Sequence, residues 1–221
     1  MLSKWWAALL DLIYPPRCPV CRRPVDSHGA WCPVCLAAVL AQRDLNLPGR
    51  RIAFLAACRV LCDYAGGVKK LIHALKFRDQ TRAADALAWL LAAKLDTRRL
   101  HGIQAVVPVP LHPGRRSERG YNQTELIFRR WAEARGWPWT EALVRTRPTQ
   151  PQWELSPAER RRNIRGAFAV AHPDRIAGKT ILLVDDIVTT GITMSECAKT
   201  LKKAGAARVI GLALAGGDYG R

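Results

Sequence analysis

The sequence predicts an α/β fold in which a largely parallel sheet is flanked by helices and preceded by a small cysteine module. Three observations carry that expectation. In 181-ILLVDDIVTTGIT-193, four aliphatic residues run into two carboxylates and then into a loop of threonines and a glycine. From residue 52 onward, apolar stretches of strand length alternate with amphipathic stretches of helix length, the pattern of β-α-β units. Ahead of them stand two C-x-x-C pairs, Cys18/Cys21 and Cys32/Cys35.

The chain opens with MLSKWWAALLDLIYPPRC, where Lys4 ahead of an apolar run imitates a leader peptide. Asp11 interrupts that run, no small-residue cleavage site follows, and the run is too short to cross a bilayer. The reading is a short amphipathic helix ending at Pro15-Pro16. Its Trp5, Trp6, Leu9, Leu10 and Ile13 would pack on the main domain or touch a membrane surface. No other segment has the length and apolarity of a membrane span, so no stable membrane insertion and a cytoplasmic location are expected.

The two cysteine pairs lie ten residues apart, a spacing that suits four thiolates around a tetrahedral zinc ion. The alternative is two disulfides, which a reducing compartment disfavours. With sulfur from Cys18, Cys21, Cys32 and Cys35 filling all four positions, the zinc would be structural. His28 is then surplus, and Cys58, Cys62 and Cys197 read as small apolar core residues. This module and its leading helix are assigned to residues 1–50, and the α/β domain to 51–221.

Within the second part, 52–63 reads as a strand and 67–77 as a helix carrying Lys69, Lys70 and Lys76. A second helix over 81–95 aligns Ala84, Leu87, Ala88, Leu91 and Leu95 on one face. The run 105-AVVPVP-110 reads as a buried strand, followed by a basic loop and a helix over 123–135 faced by Ile127, Arg130, Trp131 and Ala134. Residues 145–165 look irregular and mobile. A strand over 181–185, its helix and a last strand at 208–214 complete the order, with no internal repeat.

The formal charge of +17 implies anionic partners: nucleic acid, phosphorylated metabolites or an acidic membrane surface. Arginine bias in the genome would raise the charge without a function, but the arginines cluster. Arg115, Arg116 and Arg119 share one short segment, and Arg145, Arg147, Arg160, Arg161, Arg162 and Arg165 another.

The chemistry concentrates at residues 181–193. Ile181 to Val184 suit a strand buried on both faces, which leaves Asp185 and Asp186 at its carboxyl end. Met194, Cys197, Ala198, Leu201 and Ala204 then outline a helix. Ligands of open α/β sheets bind at such strand-to-helix junctions. Gly191 permits close backbone approach, Thr189, Thr190 and Thr193 supply hydroxyls, and the helix start offers unpaired N–H groups, which together cradle a phosphate. The two carboxylates would repel that phosphate, so they are assigned to sugar hydroxyls or a magnesium ion. A phosphate beside a diol describes a ribose 5-phosphate. A nucleotidase strand ending in acids is the rival, but its phosphate loop has no counterpart: Gly178-Lys179-Thr180 precedes a strand, and Pro173 stands where the first glycine would be.

VDDIVTTGIT resembles the phosphoribosyl pyrophosphate (PRPP) signature of type I phosphoribosyltransferases. With the two CPVC pairs, YAGGVKKLIHALKFRD, VVPVPLHPGRRSERGYNQTEL and the Q-x-x-L…R-x-x-N…AF pattern of 152–168, nearly the whole chain resembles the ComF/GntX type. The resemblance implies a type I phosphoribosyltransferase-like sheet with a zinc-ribbon-like module. It implies that Asp185 and Asp186 are the catalytic acids holding the ribose hydroxyls, and that Thr189, Thr190, Gly191 and Thr193 wrap the 5-phosphate. Pro108, Val109, Arg115 and Arg119 would hold the pyrophosphate with magnesium. Residues 145–168 would form a hood carrying Gln152, Arg160 and Asn163, where Trp153 would stack on a base or anchor the loop. The role implied is cytoplasmic handling of incoming single-stranded DNA during natural transformation, with DNA-uptake or helicase proteins as partners. A nucleobase-salvage transferase and a zinc-finger adaptor without catalysis are the alternatives.

Overall fold

The computed structural model describes residues 11–47, 49, 51–77, 80–150 and 156–217. Five strands build the main sheet: β1 (Leu40–Asp44), β2 (Ala57–Asp63), β3 (Ala105–Pro108), β6 (Thr180–Val188) and β7 (Arg208–Gly216). Their order is β1-β2-β7-β6-β3, with β2, β7, β6 and β3 parallel and β1 antiparallel at one edge. A two-stranded antiparallel ribbon, β4 (Leu143–Arg145) with β5 (Phe168–Val170), stands apart from it. The expected largely parallel α/β sheet is the one observed.

Among the described residues the strands are accompanied by helices α1 (Pro33–Ala37), α2 (Gly66–Phe77), α3 (Arg82–Lys94), α4 (Pro113–Arg119), α5 (Gln123–Glu133) and α6 (Pro157–Ile164). Helix α7 (Ile192–Lys203) follows the acidic strand. Alternation along β6 explains the layering. Leu182 and Val184 enter a core with Ile72, Leu87 and Phe128 from α2, α3 and α5, whereas Ile181 and Leu183 enter another with Ile164, Cys197 and Leu201 from α6 and α7. Burial of each such aliphatic side chain contributes roughly 1.5–3 kcal/mol.

Several sequence expectations need correction. The strand expected over 52–63 begins only at Ala57, because Asn46 ties down the preceding segment through Ile52 N and Leu55 O. The basic loop after β3 contains α4, started by Pro113 behind the His112 cap. The segment read as irregular contains α6, which begins with a reciprocal capping box between Ser156 and Glu159. On α5 the buried face is Ile127, Phe128, Trp131 and Ala132, while Arg130 and Ala134 are exposed. Most of the expected N-terminal helix, with Trp5, Trp6, Leu9 and Leu10, lies outside the described residues; residues 11–13 are helical. Among the described residues, no helix is long and apolar enough to cross a membrane.

The cysteine module is seated on the main domain. Trp31 is 4% exposed within the first core, and its Nε1 donates to the Ala86 carbonyl of α3 at 3.0 Å. Close approach of α2 requires glycine at residue 67, where a Cβ would fall 2.4 Å from Val20 Cγ2 and 2.9 Å from the Trp31 ring. Adding that methyl forces the module off the helix or the helix off the sheet. Gly67→Ala is therefore expected to destabilise the fold by about 1–3 kcal/mol, read as a lower thermal midpoint by circular dichroism.

Candidate functional site

The strand β6 continues past the acids to Val188, so Asp185 and Asp186 lie within its last turn of pleat rather than beyond its end. Alternation sends them to opposite faces. Asp186 is 3% exposed, and its Oδ2 meets Lys76 Nζ at 2.7 Å. Asp185 is half-buried; its Oδ1 accepts from the Asp186 amide at 2.8 Å and from Thr124 Oγ1 at 3.5 Å. Burial, reinforced by the neighbouring Asp186 charge and opposed by Lys76, holds the Asp185 carboxyl well above the usual carboxylate range. The two acids are thus unlike: one is matched by a lysine inside the fold, and the other gives up its proton more readily when a cation is placed beside it.

The sequence places Lys76 on α2 without assigning it to the site, although a signal is present. Val68, Ile72 and Leu75 form the buried stripe of α2, and Lys76 falls on the same stripe four residues after Ile72. A lysine on an apolar stripe needs an acidic partner.

Beyond the acids the chain turns sharply. Gly191 has φ +71°, which favours glycine, and it is the N-cap of α7; Thr189 is exposed, and Thr190 and Thr193 are half-buried around it. Amides at this helix start have no helical partner and carry the positive end of the dipole.

The loop after β3 runs alongside. Pro108 pairs with Val184, the Val109 amide donates to the Val184 carbonyl at 2.9 Å, and Asn122 both caps α5 and donates to the Val109 carbonyl. Arg115 and Arg145 line a cleft of about 430 Å³ with His112, Glu118 and Thr149. Arg119 instead donates to Gln123 Oε1, and is not among that cleft's walls. Arg145 is the second residue the sequence reading left out of the site. It lies over the Phe168 ring at 5.7 Å and donates to Thr149. Burial lowers the proton affinity of its guanidinium, as does Arg115, while Cys197 and Asp185 oppose this. Asn163 of α6 exchanges hydrogen bonds with the Gln150 backbone, whereas Gln152 and Trp153 lie outside the described residues.

Cys18, Cys21, Cys32 and Cys35 form the only potential metal-binding group of three or more such side chains among the described residues, with all four sulfurs within 4.8 Å of one another. Cys21 and Cys32 sulfurs are 3.5 Å apart, against about 3.8 Å for the edge of a ZnS₄ tetrahedron with 2.3 Å bonds. Burial opposes ionisation of Cys18, but backbone hydrogen bonds from Cys32, Cys21 and Val20 outweigh it and bring the thiol down to about 6. Burial and the neighbouring sulfurs push Cys35 up to about 12. Four sulfurs so close ionise together only around a cation, and the set fits a structural zinc.

Residues 9–45 match the double zinc ribbon domain, and residues 145–218 match the phosphoribosyl transferase domain. Fold and sites thus define a zinc-ribbon protein with a phosphoribosyltransferase domain. The chain is 36% identical over 222 residues to the DNA utilization protein YhgH of Escherichia coli O6:H1, covering 90% of this chain and 96% of that one. It is 35% identical over 152 residues to competence protein F of Haemophilus influenzae, 66% of each chain, and 27% identical over 190 residues to competence protein ComFC of Bacillus subtilis, 86% and 73%. It belongs to the family of these DNA utilization and competence F proteins.

The pH dependence of stability isolates Asp185. Its raised folded-state pKa means that the folded protein retains a proton the unfolded chain releases, so stability falls as pH rises above the ordinary carboxylate value of 3.8. Asp185→Asn removes this cost. In metal-free buffer the variant should melt at least about 2 °C higher than the native protein at pH 7, with the gap closing toward pH 4. Differential scanning calorimetry across that range measures both.

Proposed function

We propose that this chain binds PRPP at the end of β6 and serves the cytoplasmic handling of single-stranded DNA taken up from outside. The observation that carries the reading is the unlike pair of acids directly ahead of the Gly191 turn. A glycine turn into a helix start, beside one half-buried and one lysine-matched carboxylate, suits a sugar that carries a phosphate at one end and a diol at the other. The names of the relatives supply the DNA context.

In this reading Thr189, Thr190, Gly191 and Thr193 hold the 5-phosphate through backbone amides and hydroxyls. Asp185 accepts hydrogen bonds from the ribose hydroxyls, and Asp186 keeps Lys76 in place behind it. Arg115 and Arg145 face the pyrophosphate from the neighbouring cleft, and Pro108 and Val109, held against Val184, offer it the backbone at the end of β3. Magnesium, held by the pyrophosphate oxygens and Asp185, would supply charge neutralisation. In group transfer the C1–O bond to pyrophosphate breaks with both electrons leaving on the phosphate oxygen. The acceptor's lone pair forms the new bond to C1, and the acceptor's proton passes to water. Positive charge grows on the sugar beside Asp185 and negative charge on the group facing the arginines, so the site acts by placing opposite charges where they develop.

Isothermal titration of PRPP with magnesium tests this. Binding is expected for the native protein, no heat for Asp185→Asn/Asp186→Asn, and about tenfold weaker binding for Lys76→Met, with folding of each variant checked by circular dichroism. Absence of PRPP binding by the native protein would overturn the reading.

A further inference from the structure

A second cleft of about 440 Å³ lies against the Gly191 turn, between residues 51–53, the end of α6, Thr190 and Gly191 of the turn, and the start of α7. Its walls carry five cations: Arg51, Arg161, Arg162, Arg165 and Lys199. The one carboxylate among the lining residues, Glu196, already accepts the Gly166 amide at 3.0 Å and meets Lys199 at 3.8 Å. Among the described residues Arg51, Arg161 and Arg165 have no ion-pair partner and Arg162 has only the charge of Glu159 in its own helix, whereas Arg43, Arg98, Arg116 and Arg129 each have a close ion pair. Like charges that outnumber their carboxylates repel one another and destabilise the fold, a cost that an anionic ligand removes.

The shape narrows the ligand. Ile52, Ile164 and Ile192 supply apolar surface beneath the cations, and Ser195 adds a hydroxyl at the α7 start. A track for a nucleic-acid strand spaces its cations along a groove and interleaves aromatic side chains on which bases stack. Here the cations converge on a single cavity, and among the described residues its lining contains no aromatic side chain. Five cations against one occupied carboxylate match the three or four negative charges of a polyphosphate chain. We propose that this cleft is a nucleotide site that takes the di- or triphosphate chain of a free nucleoside, adjoining the sugar-phosphate site across the Gly191 turn. The face of α7 used, Ile192, Ser195, Glu196 and Lys199, follows i, i+3, i+4, i+7 and leaves out Thr193, while Thr190 and Gly191 border both sites.

The test is a titration of ATP, with inorganic tripolyphosphate as the base-free control, into the native full-length protein at fixed salt. Arg161→Ala/Arg165→Ala should weaken ATP binding at least about tenfold and leave PRPP affinity within about twofold. Asp185→Asn/Asp186→Asn should leave ATP binding unchanged, even if the PRPP reading fails. Arg82→Ala/Arg99→Ala removes the same charge from exposed positions elsewhere and should cost less than about twofold. The proposal is overturned if ATP does not bind, if both arginine pairs weaken it equally, if ATP and PRPP binding fall together, or if a decathymidylate strand displaces ATP from the cleft at equal phosphate concentration.

Discussion

The contact on which the arrangement depends is the buried pair between Lys76 and Asp186, 2.7 Å long, at the end of a strand enclosed on both faces. Two carboxylates on consecutive residues of a central strand repel each other, and burial raises the cost. A lysine from α2 offsets one charge inside the fold. The other, Asp185, is left with a raised proton affinity and a half-open position, which suits a group that must meet positive charge arriving from outside. Breaking such a pair by removing one member typically costs about 3–5 kcal/mol.

Through α2 that pair is joined to the metal-binding module. Gly67 near its start lies against Val20 and Trp31, and Lys76 near its end reaches Asp186; nine residues of helix separate them, roughly 13 Å. The module is therefore more than an appendage. Its Trp31 belongs to the same core as Leu182 and Val184, the residues that carry the acids into place. β1, drawn from the first fifty residues, is an edge strand of the main sheet.

Much of this was legible because it rests on local rules. The strand, the acids, the Gly191 turn and the amphipathic helix of 181–204 follow from side-chain periodicity and from glycine's tolerance of positive φ. The four-cysteine cluster follows from spacing alone. What stayed hidden depends on chain segments meeting in space. Lys76 joins Asp186 across more than a hundred positions, and Arg145 becomes a site residue only because β4 and β5 fold its side chain over Phe168. Helix α6 was missed since Arg160, Arg161, Arg162 and Asn163 give it no apolar stripe, and its capping box is the local signal that marks it. The strand β1 reads LAQRD and shows neither alternation nor an apolar run.

A crystal structure of the protein soaked with ribose 5-phosphate addresses the central claim most directly. The phosphate should lie on the amides of residues 189–193, with the sugar hydroxyls within hydrogen-bond reach of Asp185 and the Lys76–Asp186 pair intact. A phosphate bound elsewhere, or a sugar that makes no contact with Asp185, would contradict the account.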